Sequence, residues 1–325
     1  MFTVQKTLPS AQSVKSAMPL DSKLKQRKLQ FDEQLKQNFC SKQKFVAVVG
    51  PCSADNVDAV TEYAQKLKVE ANKYPNLLVV LRVYTAKPHS NGEGYKGLCF
   101  HQKLADSVDL EQGILQCRKL MINCLEIGLP VADELLYPEL YQYFDDLVSY
   151  WFVGARSSDD NLHREFASGL DLCCGVKNNS SGAIDQLVKS VYATSLPSHF
   201  PFLGKQIATN GNKFSHVVLR GGLGEEGFFQ NISEQQLERT KQLLEQNNLS
   251  NFVMVDLSHA NSGKVAIRQL ENAKRCVSNS LVDGIMAESY LFEGTHADCY
   301  GVSKTDDCLN FENTKLLLQI LAENS

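Results

Sequence analysis

The chain has no surplus of positive charge. Its 33 lysines and arginines stand against 37 aspartates and glutamates, for a net charge of −4. Nucleic acid is therefore not an expected partner, because nothing is left over to neutralise a phosphate backbone. No unbroken apolar run reaches about 18 residues, so no membrane span is expected. The opening stretch MFTVQKTLPSAQSVKSAMPL has no signal-peptide apolar core, and the expected compartment is cytoplasmic. The ten cysteines form no C-x-x-C pair, which argues against a redox motif or a short-range zinc knuckle. Scattered as they are, they read as reduced thiols, most of them small buried hydrophobes. No composition shift or low-complexity linker marks a second domain.

What is present is an alternation. Short apolar, β-prone runs occur at 45–50, 77–83, 129–134, 151–156, 172–177, 216–222, 252–259 and 284–289. Helical patterns separate them, at 57–72, 106–127, 139–150, 159–169, 181–196, 233–246 and 262–277, with a last one at 313–323. Gly128 is a helix stop, and Ser233 with Gln236 is a capping pattern. Strands apolar on both faces and alternating with helices predict a parallel sheet, and eight such units predict a closed α/β architecture, the (β/α)8 TIM barrel. Residues 45–325 form the expected catalytic barrel. Residues 1–44 form an N-terminal extension with a helix over Ser22–Gln37, expected to make oligomer contacts.

In such barrels the chemistry lies at the C-terminal ends of the strands. Here those ends carry Cys52, Arg82, Lys87, Asp133, Glu134, Arg156, Lys177, Arg220, Asp256, His259 and Glu288. Five of them, Arg82, Lys87, Arg156, Lys177 and Arg220, are cations. Converged on one face they would repel each other unless a small ligand with several negative charges sat among them. A second set, Cys52, His259 and Glu288, with Asp306 as a fourth member, offers thiolate, imidazole and carboxylate donors. That mixture suits a borderline divalent ion, Mn, Fe, Co or Zn. GGLGEEG at 221–227 matches the G-x-G-x-x-G dinucleotide fingerprint, but no helix pattern opens at its third glycine, so nucleotide binding is not expected.

Read together, GPCS at 50–53, RVYTAKP at 82–88, GARSS at 154–158, HREFASGL at 163–170, GVKN at 175–178, LRGG at 219–222, DLSHAN at 256–261 and MAES at 286–289 resemble the signature blocks of class I 3-deoxy-D-arabino-heptulosonate 7-phosphate (DAHP) synthases. The resemblance runs from about Leu8 to the last helix. It implies condensation of phosphoenolpyruvate with erythrose 4-phosphate and water to give DAHP and phosphate, the entry step to aromatic amino acids. It implies one divalent metal on Cys52, His259, Glu288 and Asp306, and phosphoenolpyruvate on Arg82, Lys87, Arg156, Lys177 and Arg220. It places Lys87, Glu134, Cys52 and His259 in catalysis, and Pro88, His89, Ser90 and Asp306 at the aldehyde. It also implies a homo-oligomer, dimer or tetramer.

The pattern departs at one point. Where the family reads K-P-R-[ST], this chain reads Lys87-Pro88-His89-Ser90. An arginine-to-histidine change at a phosphate grip is not conservative. A sibling enzyme that joins phosphoenolpyruvate to a different aldehyde is therefore an alternative, and a non-catalytic binding relative is another. Tyr137 and Tyr141 stand where feedback-sensitive relatives usually have Asp and Pro, so feedback control is not carried over.

Overall fold

A computed structural model describes residues 1–88, 92–100 and 108–324. Eight strands close a barrel: β1 (Phe45–Gly50), β2 (Leu77–Arg82), β3 (Val131–Glu134), β4 (Val148–Val153), β5 (Cys173–Lys177), β6 (Ser215–Leu219), β7 (Val253–Asp256) and β8 (Gly284–Glu288). Every neighbouring pair is parallel, and β8 returns to β1 through the register Val46 to Gly284 and Gly50 to Glu288. The predicted fold class is the observed one. Inward residues such as Val46, Val48, Leu78 and Val80 fill the lumen, and alternate residues such as Ala47, Val49, Val79 and Leu81 pack beneath the helices.

Two helices precede the barrel, α1 (Ala11–Ala17) and α2 (Ser22–Ser41). Asp21 caps α2 through the Leu24 amide, and Lys42 ends it in the left-handed conformation. Leu24, Lys28, Asp32, Leu35 and Phe39 recur at helical spacing on its buried side, where Lys28 pairs with Asp32 at 2.6 Å. Phe39 stacks on Phe252, with centroids 4.9 Å apart, and meets Phe214 edge-on at 5.8 Å. Those two rings flank the starts of β6 and β7. Helix α2 thus plugs the N-terminal end of the barrel.

The outer layer follows the predicted alternation with several changes. It comprises α3 (Val57–Ala71), α4 (Leu110–Ile127), α5 (Tyr141–Phe144), α6 (Asn161–Ala167), α7 (Ile184–Ser195), α8 (Glu234–Gln246), α9 (His259–Ser262), α10 (Arg268–Val277) and α11 (Phe311–Asn324). The expected helix at 139–150 is only a 3-10 turn at Pro138–Leu140 followed by the single turn α5. Strand β4 begins at Val148, three residues before the expected 151, and ends at Val153 rather than 156. Val148, Ser149 and Tyr150 are apolar or small and fully buried, and pairing with β3 decides their state. Among the described residues, two β-hairpins lie outside the barrel, His199–Phe202 with Lys205–Ala208 and Gly222–Gly224 with Gly227–Phe229. The second contains the G-x-G-x-x-G glycines, so they open no helix. The expected start of α4 at Asp106 lies outside the described residues, and the helix is described from its Asp109 cap onward. All ten cysteines are free, with only Cys40 and Cys299 exposed. Among the described residues, no helix is long and apolar enough to cross a membrane.

Candidate active site

The strand order brings residues from six strands to one mouth. Arg82, Lys87, Arg156, Lys177 and Arg220 line a single narrow cavity together with Tyr84, Pro88, Glu134 and His259. Two roomier clefts, of about 710 and 570 Å³, lie at the opposite end of the barrel against α2 and Lys213, away from every strand-end residue. Convergent charge, not size, marks the site.

Arg82 closes β2 with no solvent exposure. Its guanidinium lies 3.9 Å from the centre of the Tyr84 ring and donates from Nη2 to the Cys52 carbonyl at 2.9 Å. Gly50 makes this approach possible: a Cβ there would stand 2.3 Å from the Arg82 carbonyl oxygen. Lys177 ends β5, fully buried, and burial pulls its pKa below the usual lysine range while Asp256 opposes the shift. Arg220 follows β6, and its backbone N–H donates to Asn178 Oδ1 at 2.8 Å. Arg156 sits three residues beyond β4, itself exposed between the buried Gly154 and Ser157, and still reaches the cavity. Glu134 ends β3 beneath Gly154, where a Cβ would lie 1.9 Å from its Oε1.

Beside the cavity is the donor cluster. Donor atoms of Cys52, Glu288 and Asp306 all lie within 4.8 Å of one another. His259 Nε2 is 3.6 Å from Glu288 Oε1. Lys87 Nζ donates to Cys52 Sγ at 2.8 Å and stands 3.7 Å from Asp306 and 3.9 Å from Glu288. Burial, then the neighbouring Glu288, pushes the Cys52 thiol up to about 11, so it holds its proton at neutral pH. Burial opposes the Lys87 charge, but the Cys52 sulfur and Glu288 outweigh it and raise the pKa above the ordinary lysine value. Burial would raise Glu288, yet His259, Arg82 and Lys87 hold it below the usual carboxylate value.

Glu288 Oε1 approaches Arg82 Nη1 at 2.9 Å, but the pair is poorly aligned, and both atoms are buried without a hydrogen-bond partner among the described residues. This buried carboxylate oxygen has cations near it but no aligned donor, so its lone pairs are left to coordinate a further cation. Sulfur and two carboxylates within this reach, with the His259 imidazole close to one of them, fit a borderline divalent ion.

Of the aldehyde-side candidates, Pro88 lines the cavity and Asp306 joins the donor cluster. His89 and Ser90 lie outside the described residues. Position in the sequence places Asp256 at a strand end but does not reveal what the supporting groups contact. Asp256 bridges Lys177 and His259. Lys264 reaches Asp306 at 3.2 Å. Asn178, Asn231 and Asn261 form a buried amide network under the Arg220 turn. His259 itself takes a left-handed backbone conformation, φ 52°, uncommon outside glycine and typical of residues fixed by their surroundings.

Residues 28–320 match the model of the DAHP synthetase I family. The chain is similar to the Tyr-sensitive phospho-2-dehydro-3-deoxyheptonate aldolase of Escherichia coli, 35% identical over 294 residues that cover 85% of this chain and 81% of that protein. It is 33% identical to the Corynebacterium glutamicum phospho-2-dehydro-3-deoxyheptonate aldolase, over 97% of this chain and 91% of that one. The solved phospho-2-dehydro-3-deoxyheptonate aldolase of Francisella tularensis superposes with a TM-score of 0.93 at 31% identity, covering 100% of this chain and 98% of that one.

Proposed function

The chain belongs to the DAHP synthetase I family of enzymes, and from that premise we propose that it condenses phosphoenolpyruvate with erythrose 4-phosphate and water to give DAHP and inorganic phosphate. The observation that carries this reading is the single cavity that five cations line with Glu134 and His259, adjoining the Cys52, Glu288 and Asp306 donors. A triply anionic three-carbon substrate accounts for cations that would otherwise repel each other.

Arg82, Arg156, Lys177 and Arg220 hold the phosphate and carboxylate of phosphoenolpyruvate and aim C3 at the aldehyde carbon. As the carbon–carbon bond forms, Lys87 delivers a proton to the aldehyde oxygen, which becomes a hydroxyl. Glu134 takes a proton from the water that adds at C2. Collapse of that adduct breaks the C2–O bond and releases phosphate. A divalent cation of the Mn, Fe, Co or Zn type, held by Cys52, His259, Glu288 and Asp306, supplies polarisation of the aldehyde oxygen when bound.

A second reading rests on one residue. His89 replaces an arginine expected to grip the aldehyde's phosphate, and losing that charge-assisted bond costs about 1.5–3 kcal/mol. An aldehyde without a phosphate would be unaffected by that loss. One experiment separates the two. Phosphate release from phosphoenolpyruvate is measured with erythrose 4-phosphate, other aldose phosphates and unphosphorylated aldehydes, before and after EDTA and on restoring Mn²⁺. Fastest turnover with erythrose 4-phosphate, lost with EDTA and regained with Mn²⁺, is expected. Faster turnover with another aldehyde favours the second reading, and turnover with none defeats both.

A further inference from the structure

Asp256 ends β7 with no solvent exposure, and none of the steps above employs it. A buried carboxylate persists only where partners stabilise it, so its partners indicate its role. Oδ2 accepts from Lys177 Nζ at 2.7 Å and lies 2.9 Å from His259 Nδ1. Oδ1 accepts from the Ser258 backbone N–H at 3.1 Å and from the Ser258 hydroxyl at 2.6 Å. One oxygen therefore joins a member of the anion cavity, carried by β5, to a member of the donor cluster, carried by the turn after β7.

Each contact has a directional effect. With its Nδ1 hydrogen donated to the Ser258 hydroxyl, which in turn donates to Asp256, the neutral His259 ring keeps its lone pair on Nε2, the atom that faces Glu288 Oε1 in the donor cluster. Lys177 Nζ is fixed at the cavity wall, 5.6 Å from the centre of the Tyr84 ring. The Ser258 hydroxyl also lies 2.8 Å from His259 Nδ1, so it sets the rotation of the carboxylate and the tilt of the imidazole at once.

We propose that Asp256 is a positioning residue that orients the anion-site lysine and the donor-cluster imidazole together, so that one carboxylate aligns both halves of the site. The proposal rests on the function inferred above. It is tested on the full-length chain after chelator treatment. Co²⁺ is titrated while thiolate-to-cobalt absorption is followed, and phosphoenolpyruvate binding is measured separately by calorimetry. Asp256→Asn is expected to weaken both ligands by roughly tenfold or more. Lys177→Met weakens phosphoenolpyruvate alone, and His259→Ala weakens Co²⁺ alone. Ser258→Ala keeps the charge but frees the carboxylate. It is expected to shift both affinities in the same direction by a smaller factor, and it takes the place of Asp256→Asn if that variant loses its near-ultraviolet circular dichroism. A folded Asp256→Asn protein, or Ser258→Ala in its place, that changes one affinity without the other, or neither, overturns the proposal. Wild-type protein that takes up neither ligand overturns the functional reading instead.

Discussion

Lys87 stands at the point where the two halves of the site meet. Its ammonium contacts the Cys52 sulfur at 2.8 Å, with Glu288 and Asp306 within 4 Å. A Lys87→Met chain retains the apolar stem and loses the proton and the charge. Turnover should fall by about a hundredfold or more, with circular dichroism unchanged. Full activity in that variant would remove Lys87 from the proton transfer. Gly154 offers a second test, because it is glycine for a reason of space: an added Cβ would collide with the Glu134 carboxylate. Gly154→Ala should displace that side chain and lower kcat at least about tenfold. Its thermal midpoint should stay near wild type, since Glu134 is only half-buried. An unchanged kcat would show that Glu134 has no part in the water step.

At the scale of elements, β4 and β6 are tied across the lumen by a histidine held neutral. The His216 Nδ1–H donates to the Phe214 carbonyl at 3.1 Å, so Nε2 accepts from the Tyr150 hydroxyl at 2.6 Å. Burial lowers its pKa to about 4. The unfolded chain takes up a proton near pH 6.5 and the folded chain does not, so this stabilisation is complete above pH 6.5 and is lost as pH falls toward 4. The full loss is about 3 kcal/mol. Urea midpoints measured between pH 7 and pH 4.5 should decline more steeply for wild type than for His216→Gln. Parallel slopes would refute the assignment.

The same scale shows how far the sequence could be read. The eight strands were legible because each is a run such as FVAVVG that is buried on both faces, a pattern few other environments produce. The cations and donors were legible because barrel geometry assigns chemistry to strand ends whatever the ligand. The start of β4 was not. VSY continues the helical spacing of the residues before it, and pairing with β3 and β5 makes it a strand. Asp256 could be seen at a strand end, but its function lies in contacts with Lys177 and His259, and Lys177 sits two barrel strands away. No spacing in the chain records such a crossing.

For the whole molecule, the donor cluster predicts a linkage between cation and stability. Glu288 Oε1 is buried without an aligned partner, so a bound ion favours the folded state over the unfolded one. At a free Mn²⁺ concentration a hundred times Kd, the gain is about 2.7 kcal/mol. The melting temperature should rise by several degrees on adding Mn²⁺ to chelator-treated protein and return on chelation. Cys52→Ala should abolish most of that shift, and a Cys52→Ala protein that keeps it would locate the ion elsewhere.

The plug formed by α2 also bears on how the chain is made. Phe39 leaves the ribosome well before the rings it packs against, because Phe214 and Phe252 both lie more than 150 residues further along the chain. Helix α2 therefore waits, with an apolar stripe uncovered, until β6 and β7 exist. Contacts this distant in sequence make for slow folding, and an uncovered stripe in the interval invites association with other unfinished chains. The helix that seals the finished barrel is, during synthesis, an aromatic face without its partner rings.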